Sequence, residues 1–418
     1  MARVVVLGGS GVATPELALS LAHHPELAQS VELVLVGRSE HKLQRVAAMC
    51  ARLVQGRSNL QVSYATDARA ALEGAELVIN QIRVGGLQAR AFDETFPRDY
   101  GLPGEETVGP GGFANALRTI PVVLEYARLI EEAAPKATLL TFTNPNSYVQ
   151  YAISRYTAVC AIGLCDSPVT LIRSIATLLG ARAEELSVDY VGMHHYGWVT
   201  GVRWQRQDVM PQILSRAGEI PRLDTEPELI RAMGAIPHHY MKYIFHPDRL
   251  LAQQRGKPAR AAQLLELQEE ILAAYAGEAE SVPEVLSKRG AVWYDAIIVP
   301  VMVALLENRP VRHIVNIPNG TALPWLPPGA IIEVPALLEE GRARPLPPLE
   351  VPAAVRALIA QNCAYEMLAV EAIVERSYGK ALQALLLNPM GITYDQAAGI
   401  LRRIWPSGYP ADWGGRDD

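Results

Sequence analysis

Residues 4–18, VVVLGGSGVATPELA, constrain the fold more than any other stretch. Val4–Leu7 is an apolar, β-branched run that reads as a buried strand. Gly8, Gly9 and Gly11 follow, and a helix-like segment comes next. A glycine-rich turn in that position lets the backbone approach a pyrophosphate, and the helix start supplies N–H donors and a positive dipole end. The spacing is G-G-x-G rather than the full G-x-G-x-x-G, so a plain tight turn stands as the alternative.

The pattern then repeats. Val31–Val36, Leu60–Tyr64, Leu77–Asn80, Thr138–Thr143 and Ala158–Gly163 read as further strands, separated by amphipathic stretches such as Glu40–Val54 and Ala114–Ala133. Alternating strands and helices imply a parallel, doubly wound Rossmann-like sheet with ligands at the carboxyl ends of its strands. From about Ser187 the pattern changes. LSVDYVGMHHYGWVTGVRW reads as strands with a turn at Gly197, and long helices are expected at Ala261–Tyr275 and Val351–Glu375. We therefore expect a dinucleotide-binding domain over 1–186. An α+β, largely helical substrate, metal and oligomerisation domain should follow over 187–418, with a plain helical cap on the sheet as the alternative.

Composition narrows the class. A net charge of −6 lacks the basic excess of a nucleic-acid binder. Cys50, Cys160, Cys165 and Cys363 show no C-x-x-C pairing, so no disulfide framework or zinc ribbon is indicated. The N-terminus reads as a strand rather than a signal peptide, and Ala296–Leu306 is too short to span a bilayer. The expectation is a soluble cytoplasmic protein without nucleic-acid or membrane partners.

An NAD site of this kind expects an acid at the end of the second strand. Here the strand ends LVGRSEHK, with Gly37 and Arg38 at that place. An arginine suits a 2′-phosphate, so NADP stands open beside NAD, as does a solvated arginine at a helix start.

Several segments in order carry a resemblance: NQIRVGGLQAR (80–90), YGLPGEETVGPGGFANALRTIP (100–121), TFTNPN (141–146), GLCDSP (163–168), VGMHH (191–195), NIPNGTALPWLPPGAIIEVP (316–335) and YEMLAVEA (365–372). The chain resembles the family 4 glycoside hydrolases, which depend on NAD and a divalent metal, and most of all their 6-phospho-β-glucosidases. The resemblance implies a lactate/malate dehydrogenase-like architecture and an unusual route of cleavage. NAD⁺ oxidises the sugar at C3, a base takes the acidified C2 proton, and the aglycone leaves C1 by elimination. Water then adds, and the ketone is reduced again.

The resemblance also distributes roles. Cys165 and His195 match the metal ligands, with manganese expected. A thiolate and an imidazole suit such an ion, and a helix start should lower the thiol pKa. His194 and His195 are expected on one strand with opposed side chains, so that only His195 reaches the metal. Asp166 matches the general acid, Tyr240 the base at C2 and Glu106 a carboxylate that tunes them. Ser167 is the expected helix cap, and Glu105 is expected to face solvent. Arg90, Asn144 and Arg260 match substrate-holding positions. Gly8, Gly9, Ser10, Gly11, Arg38 and Asn80 are the expected cofactor-binding residues, although Gly11 stands where the family commonly has a hydroxyl and Gly37 and Arg38 where it usually has an acid. A phosphorylated disaccharide or glucoside is the implied substrate, and a homodimer or homotetramer the implied assembly.

The Cys-Asp pair at 165–166 is the form expected of α-specific members, and the GGSGVATPEL loop has fewer hydroxyls than is common in the family. A 6-phospho-α-glucosidase and a hydrolase of non-phosphorylated glycosides or glycosiduronates therefore remain as alternatives. From another class, a malate/lactate-type dehydrogenase remains.

Overall fold

A computed structural model of the chain describes all residues except 278–280, 290–293, 340, 347, 349 and 410–418. Six parallel strands form its first half: β1 (Ala2–Leu7), β2 (Val31–Val36), β3 (Gln61–Ala65), β4 (Ala75–Asn80), β5 (Thr138–Thr141) and β6 (Cys160–Gly163). Their spatial order is β3-β2-β1-β4-β5-β6, the doubly wound order with its reversal between β1 and β4. Val4, Val5 and Val6 of β1 are wholly buried, as helices on both faces of a parallel sheet require.

The second half does more than cap this sheet. Seven further strands extend it: β7 (Leu186–Met193), β8 (Tyr196–Trp204), β9 (Gln207–Asp208), β10 (Ile236–Pro237), β11 (Val311–Pro318), β12 (Ile331–Glu339) and β13 (Arg342–Pro345). The path beyond β6 runs β11-β12-β7-β8-β10, with β13 beside β12 and β9 beside β8. All pairings from β6 outward are antiparallel. Single residue pairs make the joins, Asn316 with Gly163 and Glu333 with Gly192.

A buried carboxylate stitches this join. Glu333 accepts from Tyr190 Oη at 2.7 Å and from Asn316 Nδ2 at 2.9 Å. The helices of the second half, Arg260–Tyr275, Tyr294–Leu306 and Ala353–Glu375, pack around the sheet. Ala353–Glu375 is the one helix among the described residues long and apolar enough to cross a membrane. It is a core helix here, with Val355, Ile359, Ala369 and Val370 buried against other elements.

Two expectations about local structure change. The turn between β7 and β8 lies at His194–His195, because Met193 pairs with Tyr196 and Gly192 with Gly197. Gly197 is a strand residue whose missing side chain leaves room for the Tyr190 ring. The helix expected from Ala114 begins at Gly109 instead, since Pro110 suits a first turn. Gly111 allows that early start: a Cβ there would lie 2.0 Å from the Glu105 carbonyl oxygen and 2.5 Å from that of Asp93. The helix is thereby pressed onto the loop that carries Glu105 and Glu106.

Candidate active site

The loop after β1 lies at the reversal of strand order. Gly8 adopts φ +83°, and a Cβ there would stand 2.9 Å from the Gln81–Ile82 peptide after β4. The amides of Gly8 and Gly9 donate to the Val36 carbonyl at 3.0 and 2.8 Å, drawing the end of β2 to the same place. Ser10 and Gly11 complete the turn, with the Gly11 amide on the Gly8 carbonyl at 3.0 Å. Gln81, which the sequence reading passed over, fixes the loop by donating to Thr14 Oγ1 (2.9 Å) and accepting from Tyr294 Oη (2.8 Å). Asn80 is buried at the end of β4, and Asn144 lies half-buried just beyond β5. Arg38 stands exposed past the end of β2.

At the carboxyl end of β6 the chain enters the helix Ser167–Leu179 through Leu164, Cys165 and Asp166. Asp166 occupies the cap position and makes no side-chain cap bond, while Ser167 is already helical. The expected cap at Ser167 is thus absent, and the Asp166 carboxyl lies 3.9 Å from the Cys165 thiol. Burial raises the pKa of Asp166. Burial also pushes the Cys165 thiol well up, with the charges of Glu333 and Asp166 adding to it. This reverses the sequence expectation. The helix end does not outweigh desolvation, and a bound cation is what makes such a thiol ionise.

The ligand atoms of Cys165, His194 and His195 lie within 4.8 Å of one another, and all three residues are buried. The expectation for His194 is corrected here. The pair forms the hairpin turn, with His195 at φ +60° and the rings stacked at 3.7 Å, so strand alternation does not separate them. Burial lowers both imidazoles, His194 to about 3 and His195 well below its usual value. Both are therefore neutral, the form that ligates a metal.

Thr107 donates to Glu105 Oε2 at 2.5 Å and contacts His195 Nδ1 at 2.7 Å. With its proton committed to Glu105, the Thr107 hydroxyl accepts from Nδ1–H, which leaves the Nε2 lone pair outward. Glu105 is accordingly buried rather than solvent-facing, and burial together with the Glu106 charge raises it to about 7. A thiolate, two neutral imidazoles and this carboxylate-backed orientation fit a divalent ion.

Tyr240 lies in the short turn His239–Met241 and stacks on His195, centroids 3.7 Å apart and planes 9° from parallel. Burial, then Glu105 and Glu106, hold its phenol well above the usual range. Tyr243 sits beyond, 6.0 Å from the Tyr240 ring.

Glu106 is buried. Burial alone would raise its carboxyl, but Arg83 and Arg90 outweigh it and hold the group below its ordinary value. Arg90 reaches Glu106 at 2.9 Å and Glu94 at 2.7 Å, and Arg83 pairs with Glu106 directly. A third cation lies within electrostatic reach: burial, and then the charges of Arg83 and Arg90, lower Arg289 against the opposing pull of Tyr294. Arg260 is placed apart, exposed at the start of its helix, where it donates to the carbonyls of Lys288 (3.2 Å) and Arg289 (3.5 Å). It acts on the backbone behind Arg289 rather than within the cluster. Arg83 stood inside the quoted NQIRVGG motif. Arg289 had no local signal, because it joins the site only through folding.

The chain matches known proteins over nearly its full length. Residues 3–181 match the model of the Family 4 glycosyl hydrolase, and 190–391 that of the Family 4 glycosyl hydrolase C-terminal domain. It is 30% identical to the 6-phospho-beta-glucosidase BglT of Thermotoga maritima, over 96% of this chain and 97% of that one. A crystal structure of the Thermotoga maritima enzyme with manganese, NAD⁺ and glucose-6-phosphate superposes with a TM-score of 0.88, at 29% identity over 97% of this chain and 98% of that one. A 6-phospho-alpha-glucosidase from gut microorganisms, solved with NAD and Mn²⁺, gives 0.86 at 25% identity over 98% and 99%. A lactate dehydrogenase of Eimeria maxima shares the fold alone, at 15% identity and a TM-score of 0.58 over 90% and 96% of the two chains.

Proposed function

The chain belongs to family 4 of the glycosyl hydrolases, and on that premise we propose that it hydrolyses 6-phospho-β-glucosides by the redox-assisted elimination route. The observation that carries the reading is the cluster of Cys165, His194 and His195 with Tyr240 stacked on its face. A dinucleotide, when bound, supplies reversible oxidation of the sugar, and a divalent ion, manganese by likeness to the relatives, supplies polarisation of its hydroxyls.

The protein's own residues do the rest. Gly8, Gly9, Ser10, Gly11 and Asn80 hold the dinucleotide at the reversal of strand order. Cys165 and His195 hold the ion with His194 beside them, and the Glu105–Thr107 pair keeps His195 in the ligating tautomer. Tyr240 takes the C2 proton. Burial and then the neighbouring carboxylates keep the phenol protonated, so positive charge must enter the cluster before it can act as a base. Asp166, with no cap bond to occupy it, donates a proton to the leaving oxygen. Glu106 holds Arg83 and Arg90 in place. Arg90, Arg289 and Asn144 receive the phosphorylated sugar, since guanidinium groups suit a phosphate. Arg260 supports them through the Arg289 backbone.

The test is turnover of p-nitrophenyl 6-phospho-β-glucoside in D₂O with Mn²⁺ and dinucleotide under reducing conditions. Deuterium at C2 of the product without net reduced cofactor is expected. Stoichiometric accumulation of reduced cofactor would instead indicate a dehydrogenase. Asp166 beside Cys165 favours one second reading, an α-linked substrate, and faster turnover of the α-anomer would select it.

We further propose a boundary between cofactor and substrate halves at 186/187, supported by the change from parallel to antiparallel pairing. A homodimer or homotetramer is supported by Tyr378, Leu386, Leu387 and Tyr394, large apolar residues exposed on consecutive helices. A cytoplasmic location is supported by four free cysteines.

A further inference from the structure

In sheets of this topology the residues just past the second strand face the adenosine ribose of the dinucleotide. A carboxylate there accepts the ribose hydroxyls and repels a 2′-phosphate, and an arginine reverses both preferences.

In this chain β2 ends at Val36, whose carbonyl is held by the amides of the glycine turn. Gly37 therefore lies directly against that turn: a Cβ built on it would stand 3.1 Å from the Ser10 hydroxyl. Arg38 and Ser39 come next, both exposed. Ser39 caps the helix Glu40–Val54, its hydroxyl accepting from the Lys42 amide. Two acids lie nearby and each makes a local bond. Glu40 lies in the first helical turn, where Gln44 donates to it at 3.3 Å. Asp67, beyond the end of β3, caps its own helix by accepting from the Ala70 amide at 3.2 Å. Among the described residues, the end of β2 carries Gly37, Arg38 and Ser39 rather than a carboxylate.

We propose that this chain binds the 2′-phosphorylated dinucleotide NADP in preference to NAD. Arg38 pairs with the 2′-phosphate, and Gly37 leaves open the space that an acidic side chain would fill. The proposal rests on the family reading that a dinucleotide occupies this crevice. It sets the chain apart from the solved relatives, which were obtained with NAD. Because Arg38 is exposed, the preference weakens as salt screens the pair.

Isothermal titration calorimetry of the purified full chain with NADP⁺ and with NAD⁺, at low and high salt, tests this without any turnover. The expected result is NADP⁺ binding about tenfold or more tightly at low salt, with the gap narrowing at high salt. Arg38→Ala should lose that gap, and Gly37→Asp should turn the preference to NAD⁺. The backbone at Gly37 has no positive φ, and the atoms a Cβ would meet, the Ser10 hydroxyl at 3.1 Å and the Leu43 side chain at 3.3 Å, need give by only a few tenths of an ångström, so the second variant is compatible with the fold. NAD⁺ binding as tightly as NADP⁺, or more tightly, overturns the proposal and leaves the dinucleotide reading standing. Binding of neither overturns both. A folded Arg38→Ala variant that keeps the full gap removes Arg38 from the site.

Discussion

Replacing Arg118 with methionine should cost about 3–5 kcal/mol of stability. Arg118 and Asp93 are each about 1% exposed in their side chains. Arg118 Nη1 donates to Asp93 Oδ1 at 2.9 Å and to the Gly408 carbonyl at 2.6 Å, and Nη2 pairs with the second carboxylate oxygen. Methionine fills the volume but leaves the Asp93 carboxyl buried without either donor. The expected loss is a third or more of a typical stability of roughly 5–15 kcal/mol.

The same physics predicts the rescue. Asp93→Leu together with Arg118→Met removes both charges. It should regain most of the loss, short of about 1 kcal/mol for the orphaned Gly408 carbonyl. Burial already pushes Asp93 up to about 7 opposite Arg118, and loss of the cation raises it further. The penalty of the single variant should therefore be larger near about pH 8 than near about pH 6, where the stranded carboxyl takes a proton. Guanidinium denaturation of the three proteins at both pH values measures all of this. A single variant that loses under about 1 kcal/mol, or a double variant no better than the single, would refute the reasoning. The pair also has a functional consequence. It clamps the helix Gly86–Asp93, which carries Arg90, to the helix that follows Glu105 and Glu106. Catalytic efficiency should fall in the single variant even where it remains folded.

Burial raises Glu366 from 4.5 to about 8. Its contribution to stability is full below the unfolded value and is lost as pH rises through the folded one. Glu366→Gln should thus flatten the fall and exceed the wild type by roughly 2 kcal/mol near about pH 8, and parallel pH profiles would count against it. Cys165→Ser should weaken cobalt binding by about 100-fold and abolish the thiolate charge-transfer band, and His194→Asn should weaken it by about tenfold. A cobalt titration unchanged in both would discard the cluster as a metal site. Gly197→Ala would place a Cβ 1.9 Å from Tyr190 Oη and should cost about 3 kcal/mol; a denaturation midpoint equal to wild type would contradict that packing. Tyr240→Phe should stop deuterium incorporation at C2 while the protein still binds dinucleotide, and continued exchange would assign the base elsewhere.

The first half of the fold was legible because its signals are local. Each run became a strand within about two residues, and the central ones, buried on both faces, need continuous apolar sequence. The ordered motifs identified the family for the same reason, each being a short contiguous segment. Legibility failed where the answer depends on contacts between distant segments. The HH pair looked like strand because nothing nearby marks its turn, which is set by the pairing of β7 with β8. Glu105 looked like surface because its donors, Thr107 and Val108, become buried when Gly111 presses the helix onto the loop.

By itself the sequence determined the parallel sheet, the glycine turn at its reversal point, the family, and the presence of Cys165, His195, Tyr240 and Glu106 as a chemical set. It also determined that Gly37 and Arg38 stand where an acid is usual. The tertiary structure decided what each of these groups becomes. It brought His194 within reach of Cys165 and His195 and set Glu105 behind His195 through Thr107. It gathered Arg289 with Arg83 and Arg90 while leaving Arg260 outside. It also raised the Cys165 thiol against the pull of its helix end. The reason is the same in each case. Periodicity and turn chemistry act over a few neighbouring residues, whereas desolvation, charge pairing and ligand geometry depend on which distant segments exclude water together.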